Sequence, residues 1–73
     1  MADLTKAQQD ARIAILRDVL RSGGNDKWSH LHSHGHHFKQ VQACVNRGDL
    51  LQDRPYRYVL TDAGRAAIAG DRP

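Results

Sequence analysis

Five histidines, His30, His32, His34, His36 and His37, fall within eight consecutive residues of a 73-residue chain. Imidazole is the commonest transition-metal ligand, so the stretch raises a metal site first. His30 and His34 are spaced i, i+4 and would share one face of a helix, where zinc, nickel or copper could be chelated. The donors around them are poor. No glutamate and no second cysteine stand nearby, and Gly35 interrupts the helix before a four-ligand geometry is assured. The expectation is therefore a polar helix and turn whose imidazoles are mostly solvated, one or two of them capping a helix or packing on Trp28, with no metal and no cofactor. Histidines lining a nucleic-acid surface would add positive charge as they protonate, which predicts tighter binding near about pH 6 than about pH 8.

Cys44 is the single cysteine. A nearby histidine could activate it as a thiolate, but its place on the apolar side of a helix reads as a small core residue. There is no glycine-rich phosphate loop, no Gly-x-Ser-x-Gly elbow and no carboxylate pair, so no catalytic residue and no enzyme are expected.

The elements that position these residues follow from capping and periodicity. Thr5 and Gln8 form a capping-box start. A long helix follows in which Ile13, Ile15, Leu16, Val19 and Leu20 make a wide apolar stripe. Ser22, Gly23, Gly24 and Asn25 end it. Asp26 is expected to cap a short second helix over 27–33 that turns Trp28 and Leu31 inward, and Gly35 marks the turn out. A third helix over 36–47 would bury Phe38, Val41 and Val45 with Cys44 alongside, and Gly48 would end it. Beyond Gly48 the period changes from helical to alternating. Residues 50–52 and 56–60 read as two strands of a hairpin with turn chemistry at 53–55, Tyr58 and Leu60 facing the helices and Arg57 and Val59 facing away. Thr61 or Asp62 caps a last helix through Ala69, which Gly70 ends.

Length and composition narrow the class. A chain of 73 residues is one domain, 1–73, with residues 1–4 and 71–73 expected to fray. Eight arginines and three lysines against eight aspartates leave a net charge of +3, a weak pull toward an anionic partner. One cysteine excludes an intrachain disulfide and fits a reducing compartment. No apolar run approaches the ~20 residues that span a bilayer, and the first residues lack the plan of a secretory signal, so a cytoplasmic protein with no membrane partner is expected.

Two segments carry a family resemblance. Tyr58-Val59-Leu60-Thr61-Asp62-Ala63-Gly64-Arg65 resembles the Tyr-x-Leu-Thr-x-x-Gly segment that closes the wing in MarR-like and PadR-like winged-helix regulators. Arg47-Gly48-Asp49-Leu50-Leu51 looks like their Arg-Gly-x-Leu passage from recognition helix to wing. The resemblance implies an α+β, mostly α, winged helix-turn-helix: a three-helix core, a two-stranded wing and a short C-terminal helix. The matching residues also have scaffold reasons, since Gly48 lets the chain leave a helix, Leu50 or Leu51 and Leu60 pack beneath it, and Thr61 caps the next. The long dimerisation helices of many such regulators have no counterpart, so a monomer or weak dimer is expected.

In that fold the third helix enters the major groove of double-stranded DNA and the wing touches phosphates or the minor groove. Gln40 and Asn46 would then pair with adenine, Lys39 and Arg47 would meet guanine or phosphate, and Ala43 would allow close approach. Arg54 and Arg57 would hold the backbone from the wing, with His36 and His37 as accessory contacts. Asp49 and Asp53 argue against this, because they would repel phosphate. The leading function is a small bacterial or phage DNA-binding transcriptional regulator. The alternative is a protein-interaction module that docks on RNA polymerase or another DNA-processing machine without reading bases.

Overall fold

A computed structural model describes residues 4–70 as four helices and a three-stranded antiparallel sheet. The fraying expected at the chain ends lies, Leu4 apart, outside these residues. Helix α1 (Lys6–Arg21) starts at the capping box expected of it. The Gln8 amide donates to Thr5 Oγ1 at 3.1 Å and the Thr5 amide to Gln8 Oε1 at 3.0 Å. Such a cap is worth about 1 kcal/mol. Ile13, Ile15, Leu16 and Val19 are buried as the stripe predicts. Leu20 is not: it stands on the stripe's edge in the last turn, next to the glycine break, and remains exposed.

The sheet departs from the two-stranded expectation. After Gly24, whose carbonyl accepts from the Leu60 amide at 2.7 Å, residues Asn25–Lys27 form strand β1. It pairs with Arg57–Leu60 (β3) in the register Asn25 to Val59, Asp26 to Tyr58 and Lys27 to Arg57. Leu50–Arg54 (β2) pairs on the other side of β3, giving the order β1-β3-β2. Three polar residues carry no alternation and no strand formers. β1 exists because the edge of β3 would otherwise present unpaired backbone groups.

This strand also removes Asp26 from its expected capping role. The N-cap of α2 (Trp28–Ser33) is Lys27, with no side-chain cap, and Asp26 lies buried in β1. Helix α3 (Phe38–Arg47) begins two residues later than expected, at His37 as N-cap, and ends at Gly48 in the left-handed conformation with φ 92°. Its buried residues are Val41 and Cys44; Val45 is half-buried and Phe38 is exposed. The helix is therefore turned roughly 60° from the Phe38, Val41, Val45 stripe, at about 100° per residue.

The hairpin matches its expected face, with Leu50, Tyr58 and Leu60 buried and Leu51 exposed. Its turn sits later than expected, at Pro55 and Tyr56, and Asp53 is the extra residue of a bulge between Gln52 and Arg54. Thr61 joins the last two elements. Its amide donates to the Asp49 carbonyl at 3.1 Å, and its hydroxyl lies 2.6 Å from the Gly48 carbonyl. The same oxygen accepts from the Gly64 amide at 3.0 Å at the start of α4 (Asp62–Gly70). A Cβ on Gly64 would overlap the Asp49 carbonyl and approach Leu60 Cδ1 to 2.7 Å, so only glycine lets α4 pack this closely. Tyr58, Leu60, Thr61 and Gly64 are thus explained as scaffold. Among the described residues no helix is long and apolar enough to cross a membrane.

Candidate nucleic-acid interface

Rotation of α3 about the Val41 and Cys44 axis decides which side chains face solvent. The outward row is Lys39, Gln42, Ala43 and Asn46, with Lys39 and Asn46 exposed. Gln42 was not singled out by the sequence, because the assumed Phe38 to Val45 stripe places it near the core; here its amide donates to Asn46 Oδ1 at 3.3 Å. Helical spacing of i, i+3, i+7 from Lys39 was the signal that could have found it. Gln40 and Arg47 are displaced to the α1 side. With Ala43, Lys39 and the α1 residues Gln8 and Arg12, they line a cleft of about 240 Å³ between the helices.

Arg47 is held there by a carboxylate. Asp49, expected on the surface, is almost fully buried. It accepts from Arg12 Nε at 2.7 Å and Arg12 Nη2 at 2.9 Å, and Arg47 Nη1 approaches it at 3.4 Å. Burial pushes the Asp49 carboxyl up, but hydrogen bonds from Arg12 and the charges of both arginines outweigh it and hold it below the ordinary carboxylate range. The same pairing raises the Arg12 guanidinium, its hydrogen bond to Asp49 outweighing burial. Asp49 is thus spent inside the protein and does not present a repelling charge to phosphate. Cys44 sits beside this group, buried, and burial pushes its thiol up, the opposite of what a thiolate nucleophile needs.

The hairpin tip is built differently. Lys27, Trp28, Arg54, Tyr56 and Arg57 line an open cleft of about 670 Å³. The Trp28 amide donates to the Tyr56 carbonyl at 2.7 Å, which fixes the turn against the start of α2. Arg57 donates to the neutral Asn25 Oδ1 at 3.1 Å. No ion pair of the described residues includes Lys27, Arg54 or Arg57. Phe38, at the first position of α3, packs edge-on to Trp28 with ring centroids 5.3 Å apart. Trp28 therefore bridges the start of α3 and the hairpin tip, bringing Arg54 and Arg57 near the end of α3 that carries Lys39. Lys27 and Tyr56 join them unforeseen, since only the pairing of β1 with β3 places Lys27 opposite Arg57.

The histidines divide. His30 and His34 lie with ring centroids 4.1 Å apart and planes tilted by 58°, on the shared face that their spacing predicts. His30 Nδ1 is bonded to Asp26. His34 Nδ1 lies 3.3 Å from Asp18 Oδ2, which is also bonded to His36 Nε2. Burial pushes the Asp18 carboxyl up, but bonds to His36 and His34 bring it below the ordinary range. Asp18 comes from the last turn of α1 and ties down the turn between α2 and α3. His36 is consequently turned inward, while His37 is exposed at the head of α3 and His32 packs on Trp28 at 5.4 Å. Among the described residues no cluster of three ligand side chains is arranged to hold a metal ion. No protein family, no curated protein and no solved structure matches the chain.

Proposed function

We propose that this chain is a small winged-helix protein that binds double-stranded DNA and regulates transcription, acting by binding and not by catalysis. In this reading α2 and α3 are the helix-turn-helix and the β2-β3 hairpin is the wing. The helix α3 enters the major groove with Lys39, Gln42, Ala43 and Asn46 foremost and Gln40 and Arg47 at the flank. Arg54, Arg57 and Lys27 contact phosphates. The observation that carries the reading is the cation cluster at the hairpin tip, without carboxylate partners among the described residues and linked through Trp28 and Phe38 to the head of α3. A β1-β3-β2 sheet beside three helices supports the winged-helix assignment, and a cytoplasmic monomer or weak dimer fits the same picture.

A second reading is favoured by Leu51, which is 59% exposed on β2. There the domain docks on a protein of the transcription machinery through the outer side of the hairpin. A salt titration against random duplex DNA separates the two. A groove binder loses affinity steeply as salt rises, the log-log slope being about −0.9 per phosphate neutralised. No measurable binding at low salt excludes the duplex-binding reading and leaves the protein partner.

A further inference from the structure

The hairpin-tip cleft combines side chains that a duplex backbone contact does not need. Beside its three cations it holds two aromatic rings, one of them placed at a conformational cost. Tyr56 adopts φ 64°, a left-handed conformation that favours glycine, and its side chain is 61% exposed. A tyrosine there gains no core burial to offset the strain. Trp28 is held by Phe38 on one side and His32 on another and still lines the cleft. An exposed tyrosine and a packed tryptophan, flanked by cations with no carboxylate partner among the described residues, match the chemistry of an unpaired nucleotide. The rings offer a stacking surface to the base, and Lys27, Arg54 and Arg57 offer charge to the phosphates on either side. The cleft of about 670 Å³ is of the size of small-ligand sites.

We propose that this cleft receives an unpaired nucleotide at the end of a duplex, so that the protein recognises a junction of double-stranded and single-stranded DNA. The inference shares the hairpin arginines with the duplex-binding reading but does not depend on α3. Its ligand is a base together with its flanking phosphates; phosphate alone would have no use for Tyr56 or Trp28.

Trp28 is the single tryptophan, so its fluorescence reports on the cleft directly. The full chain is titrated with a blunt duplex, with the same duplex bearing a short single-stranded overhang, and with that overhang made abasic. The overhang duplex should bind about tenfold more tightly than the blunt one and quench Trp28, and the abasic overhang should lose both effects. Tyr56→Gly should abolish the overhang preference while leaving the thermal midpoint equal or higher, because glycine relieves the left-handed strain; that combination separates a binding role from a structural one. Equal affinity for blunt and overhang duplexes, or an abasic overhang bound as tightly as the intact one, overturns the inference. Salt-sensitive binding of the blunt duplex in the same titration would leave the duplex reading standing. Binding of the overhang with no affinity for the blunt duplex would do the reverse.

Discussion

Arg12 and Arg47 meet across a buried carboxylate, whereas Lys27, Arg54 and Arg57 stand at the hairpin tip with no carboxylate partner among the described residues. The two regions use the same chemistry for opposite ends. Beneath α3, the guanidinium of Arg12 satisfies Asp49 through two hydrogen bonds and joins α1 to the turn that follows α3. At the tip, the positive charge meets no carboxylate among the described residues. The difference teaches that a net charge of +3 does not locate a binding surface. What locates it is which cations the fold has already neutralised.

The comparison is broken most directly at its buried end. Asp49→Ala leaves Arg12 partly buried without its counter-charge, and the domain should lose about 3 to 5 kcal/mol in urea unfolding. A loss below about 0.5 kcal/mol, the range of ordinary surface changes, would mean that the carboxylate is not structural and that Arg12 and Arg47 are available to DNA.

The exposed end should respond in the opposite sense. Replacing Arg54 and Arg57 together by alanine should lower the salt slope of duplex binding by about 1.8, two phosphates at about 0.9 each, with stability changed by no more than about 0.5 kcal/mol. Arg47→Ala should lower the slope by less than one phosphate, because its guanidinium is shared with Asp49. The reverse ranking, measured at matched temperature, would place the principal phosphate contacts on α3.

Acid sharpens the contrast further. Asp49 and Asp18 are both held below the ordinary carboxylate value in the folded chain. A depressed folded value means the unfolded chain takes up the proton first. The stability they contribute is therefore complete above the ordinary value of about 3.9 and is lost as pH falls from there through the lowered folded values. Thermal melting should fall steeply below about pH 4, and Asp18→Asn should remove part of that slope. Asp18 and Asp26 engage His30, His34 and His36, so that of the five histidines only His32 and His37 have no carboxylate partner among the described residues.

The smallest effect is expected within β3 itself, where exposed Arg57 precedes buried Tyr58. The Tyr58 hydroxyl is buried without a hydrogen-bond partner, and burial pushes its pKa up. Tyr58→Phe should be neutral or stabilising by up to about 1 kcal/mol and leave DNA affinity unchanged. A large destabilisation would reveal a partner for that hydroxyl.

The local grammar of the chain is legible without coordinates. Thr5 with Gln8, Gly48, and the cap that the Thr61 hydroxyl makes on the Gly64 amide act through neighbours a few residues away, so these roles follow from capping and turn chemistry. Tyr58 and Leu60 declare their face through the two-residue period. Other features depend on partners far along the chain. Asp49 reads as an exposed acid until Arg12, 37 residues earlier, is brought to it, and His36 reads as a surface contact until Asp18 captures it from 18 residues away. β1 has no pattern of its own and exists only beside β3, and the roll of α3 is set by what lies beneath Val41 and Cys44. The order of the four helices and of β2 and β3 was therefore determined by the sequence itself, through interactions of short range. Which cations remain free at the hairpin tip was decided only by the tertiary structure, because neutralising a charge requires a partner that folding alone brings within reach.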